Sequence, residues 1–225
     1  MYKIISNKII REFAPSFHST NGYTHETEEL PILEWVDKYR LIGRPETIFC
    51  PEEFINEREE YIIWLLCREE YMADRDLRLF AVWCAREAFK LLDNVDERSL
   101  RVVYMADKFA KGLATAEEME EAQAAADLAV LSGTMFGEYI AKAAAGTAKA
   151  IAGDAAGAAR EAAEDAAAGE AVERMAKLDI LLNSKENAFM GYGPGAANPY
   201  EIGKEAREKV RSAQVDKLIT YFLNY

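Results

Sequence analysis

The chain is poor in the residues on which catalytic and metal chemistry is usually built. Its 225 residues include only two histidines and three cysteines. The cysteines, Cys50, Cys67 and Cys84, are odd in number, and two sit inside helical apolar patterns. That argues against a disulfide framework and for a reducing compartment. His18 and His25 lie on a polar, turn-rich stretch beside Glu26 and Glu28. A zinc site wants further closely spaced donors with supporting contacts behind them, so an ordinary surface loop is the simpler reading. No metal and no cofactor is expected. Basic residues are also in deficit, 27 Lys and Arg against 39 Asp and Glu, for a formal net charge of −12. Such a surface does not suit phosphate binding, so no direct contact with nucleic acid is expected. It suits a basic protein partner, or solubility alone. Long apolar runs are missing too. The opening MYKIISNKIIREF has no apolar core long enough for a signal peptide, and no run of about 18 apolar residues occurs. The expectation is a cytoplasmic protein without a membrane partner.

What is present is helix. Half of the residues are hydrophobic, enough to bury a proper core. Residues 1–50 are the least regular part, read as an irregular N-terminal cap packed on the main domain. Tyr2 to Ile5 and Ile9-Ile10 could form a short strand or an extended arm there, and residues 32–39 (ILEWVDKY) are spaced as a short helix. Residues 51–225 read as one all-α domain. Leu77, Phe80, Ala81, Cys84, Ala85, Ala88, Leu91 and Leu92 trace one apolar stripe at steps of three and four, with Asp74 as the expected N-cap. Leu79, Val82 and Trp83 widen the stripe, which makes this the expected central helix.

Asp96 is the expected cap of the next helix, and Lys111-Gly112 its end. Thr115 and Glu118 have capping-box spacing before a fourth helix. From 122 to 176 alanine dominates, and its small side chains let neighbouring helices approach closely. Breaks are expected near Gly133 and Gly153, ordinary amphipathic helix over 172–182, and a glycine-rich loop over 184–198. Pro199 then fits the first position of a last helix. The architecture expected is an all-α, alanine-rich helical bundle or short solenoid.

Four features are candidate sites. Arg75, Arg78 and Arg86, with Lys90, fall mostly on one side of the central helix and could bind an anion. The plainer reading pairs them with Glu69, Glu70, Glu87 or Asp93. Glu117, Glu118, Glu120 and Glu121 form a dense acidic turn, either a solvated helix start favoured by the helix dipole or a partner-binding patch. Phe189 and Tyr192 stand on the glycine-rich loop, where they could contact a partner. Gly191 to Gly195 lacks the preceding strand of a phosphate loop, and Pro194 removes a backbone donor. Cys84 lies on the apolar stripe with no histidine nearby, which favours a small buried hydrophobe over a nucleophile.

Several of these segments resemble a family. Cys84-Ala85-Arg86, Asp96-Glu97-Arg98-Ser99, Ala106 to Gly112, Thr115 to Met119, the alanine-rich block and Lys209 to Phe222 are together similar to bacterial and phage proteins classed as immunity proteins. These look related to an all-α group of immunity proteins in polymorphic-toxin systems. The resemblance covers about residues 60–170 and weakly the last helix. It implies a non-enzymatic protein that inhibits a toxin or effector by stoichiometric binding. The alternative is a phage-encoded anti-defence protein. That protein would block an immune nuclease with an acidic mimic of nucleic acid, or sequester a signalling nucleotide. Neither reading fixes the oligomeric state, and a homo-oligomer is compatible with both.

Overall fold

In a computed structural model the structure describes residues 4–5, 29–42, 58–132, 135–147, 154–183 and 199–223. Ile4–Ile5 (β1) pairs antiparallel with Leu30–Pro31 (β2), Ile4 opposite Pro31 and Ile5 opposite Leu30. Everything else regular among the described residues is helix: α1 (Ile32–Ile42), α2 (Arg58–Leu66), α3 (Asp74–Phe89), α4 (Glu97–Ala110), α5 (Ala116–Ser132), α6 (Met135–Gly146), α7 (Ala155–Asn183) and α8 (Pro199–Phe222). The protein is an all-α helical bundle, as the apolar spacing predicts.

The two-stranded piece does not stand apart. Ile5, Ile32 and Val36 are buried in the same core as Ile62, Leu65 and Leu66 of α2, Leu77 and Phe80 of α3, and Val215 and Leu218 of α8. The apolar stripe of α3 is central, because the helix packs against α4, α6, α7 and α8. A second core lies between α3, α4, α5 and α6, where Val82 and Ala85 meet Val102, Val103, Ala106, Met119, Ala122 and Ala126.

Alanine determines how closely the later helices lie. Along α7 the buried positions include Ala155, Ala159, Ala162, Ala163, Ala166 and Ala167. This rod packs against α3, α6 and α8. A β-carbon added to Gly146 of α6 would sit 3.5 Å from the backbone nitrogen of Ala162, so the two backbones are nearly in contact. At Gly203 of α8 the same addition would lie 3.4 Å from the Ala171 carbonyl oxygen and 2.9 Å from Cγ of Met175. Small residues at these crossings let dispersion contacts accumulate along whole helices.

One local expectation differs from what is found. Ala73, not Asp74, occupies the N-cap of α3, and no side chain caps it. Asp74 and Asp76 sit in the first turn, where their charge still favours the dipole. The stretch 172–182 is helical, as expected, and continues α7, with Gly157 and Gly169 lying within that helix without ending it. Asp154 caps α7, accepting from the Gly157 amide at 2.6 Å. The glycine-rich loop over 184–198, with Phe189 and Tyr192, lies outside the described residues, as do His18, His25 and Cys50.

Candidate functional site

The candidate site is the hairpin of α4 and α5, and its local chemistry is written in caps. Asp96 accepts from the Arg98 amide at 2.8 Å and binds the Arg98 guanidinium at 2.7 Å, which fixes the start of α4. The side-chain hydrogen bond from Arg98 is the main reason its carboxyl is held down at about 2. At the far end, the Gly112 amide donates to the Phe109 carbonyl at 3.0 Å and the Leu113 amide to the Lys108 carbonyl at 2.8 Å. With Gly112 at φ 71° this is a Schellman ending, and the positive φ is why glycine stands there. Leu113, the residue that commonly folds back onto the helix in this motif, is instead 69% exposed.

The chain turns at once into α5 through the reciprocal capping box. The Thr115 amide donates to Glu118 at 2.9 Å, and the Glu118 amide donates to the Thr115 hydroxyl at 3.3 Å. Short connection and mutual packing make α4 and α5 an antiparallel pair.

Met119, Ala122, Ala126 and Ala129 turn inward from α5. Glu117, Glu118, Glu120 and Glu121 are all exposed, so the expected acidic turn lies on the surface. Glu118 is partly spent on the capping box. The Glu117 carboxyl is lowered by a backbone hydrogen bond and by the Thr115 hydroxyl, which keeps it ionised. With Asp127, α5 carries five carboxylates and no cation. The same hairpin also exposes large hydrophobic side chains: Leu100 and Tyr104 on α4, Leu113 in the turn, and Leu128 and Leu131 on α5, the last 83% exposed. Sequence reasoning missed these, although Ala124, Leu128 and Leu131 recur at steps of four and three on the side opposite Met119 and Ala122.

The basic row of α3 is arranged differently. Arg78 lies 3.5 Å from Asp74, with its guanidinium 5.0 Å over the Phe109 ring. Arg86 lies 3.6 Å from Asp107, a carboxylate that Lys111 also reaches at 2.7 Å. Lys90 holds Glu87 at 2.6 Å. Arg75 is exposed. The arginine partners therefore include Asp74 and Asp107, across a turn and across the α3–α4 contact. Two of the three candidate anion-binding arginines serve the bundle.

Cys67 and Cys84 are free and fully buried. Burial pushes both thiols up, which keeps them protonated and poor as nucleophiles. Among the described residues there is no cluster of three metal-ligating side chains, and no helix is long and apolar enough to cross a membrane.

Comparison with known proteins identifies no relative: no protein-family model, no curated protein and no solved structure matches this chain.

Proposed function

We propose that this chain is a non-enzymatic binding protein that inhibits a bacterial toxin or effector by direct, stoichiometric binding in the cytoplasm, as its resemblance to immunity proteins implies. One observation carries the reading: α5 presents five carboxylates and no cation, on a hairpin that also exposes Leu113, Leu128 and Leu131. Acidic side chains on a rigid helix steer a basic partner and orient it, and apolar neighbours supply contact area once it arrives. Glu117, Glu120 and Glu121 are the steering residues, while Glu118 also holds the turn. The same carboxylate row supports a second reading, in which the partner is a nuclease and the helix stands in for nucleic-acid phosphates.

The test is capture of the target by the tagged full chain from its native host, followed by titration of the purified target. Neutralisation should saturate at one copy per target, and lysine at Glu117, Glu120 and Glu121 should weaken it. Equal neutralisation by the reversed variant removes the acidic helix from the account.

A further inference from the structure

We draw no further inference here: the strongest candidate, the exposed face of α5 along which Glu117, Glu120 and Glu121 give way to Leu128 and Leu131, belongs in its acidic half to the site already described, and nothing in the structure shows what covers its apolar half.

Discussion

Arg211 Nη1 donates to Glu60 Oε2 at 3.0 Å, joining the last helix to the second across most of the chain. Its Nη2 reaches Glu164 Oε2 on α7 at 2.5 Å. The arginine side chain is 3% exposed, whereas Glu60 is 20% and Glu164 50% exposed. A buried guanidinium must keep its counter-charges, and the better shielded partner matters more. Glu60→Gln should therefore destabilise by about 2 kcal/mol, and Glu164→Gln by about 1 kcal/mol or less. Urea unfolding of the two variants checks the order, and a larger loss at Glu164 contradicts it.

The start of α4 should be sensitive to acid. The Asp96 carboxyl sits at about 2 in the folded chain, below its ordinary 3.8. A depressed carboxyl adds stability above its unfolded value and loses it as pH falls through the folded one. The window is therefore from about pH 4 down to about pH 2. Solvent screening at this exposed site limits the charge effect to about 1 kcal/mol. Asp96→Asn, which keeps a capping oxygen but not the charge, should flatten the stability profile over that window in unfolding titrations.

The turn between α4 and α5 should tolerate little change in backbone chemistry. Thr115→Ala removes the hydroxyl that caps the Glu118 amide and should cost about 1 kcal/mol. Gly112→Ala meets no neighbouring atom within 4 Å, so any loss there comes from the positive φ alone, again about 1 kcal/mol. Thermal unfolding of both variants gives the comparison. A stabilised Gly112→Ala chain would mean that the turn is not held left-handed.

Close approach of α6 and α7 makes a contrasting pair of substitutions. A β-carbon at Gly146 would meet Ala162 at ordinary contact distances of 3.5 and 3.8 Å, so Gly146→Ala should be nearly neutral. Ala162 is fully buried at the crossing, and Ala162→Leu should cost about 2 kcal/mol by forcing the rods apart. Equal stabilities for these two variants would show that the helices are not in near-backbone contact.

How much of this could be read from sequence depended on how local the cause was. The Asp96 cap, the Gly112 ending and the Thr115–Glu118 box follow from side chains within a few residues of the backbone they satisfy, and each is found where its residue types predict. The all-α bundle was legible for the same reason, because apolar spacing along one helix reports the face it buries. The join at 172–182 was not, since the alanine-rich and amphipathic patterns meet inside one continuous helix. Nor was the Arg211 contact, because nothing near residue 211 indicates Glu60 or Glu164. The candidate site was half legible: clustering revealed the acidic turn, whereas the exposure of Leu128 and Leu131 depends on which side of α5 the neighbouring helices cover.

The most direct measurement is calorimetric titration of the target captured from the native host against the wild-type chain and against a chain with lysine at Glu117, Glu120 and Glu121, each at low and at physiological ionic strength. The account predicts one-to-one binding by the wild type, weakened by salt, and little or no binding by the reversed chain. Salt-independent binding of equal strength by both chains would contradict it.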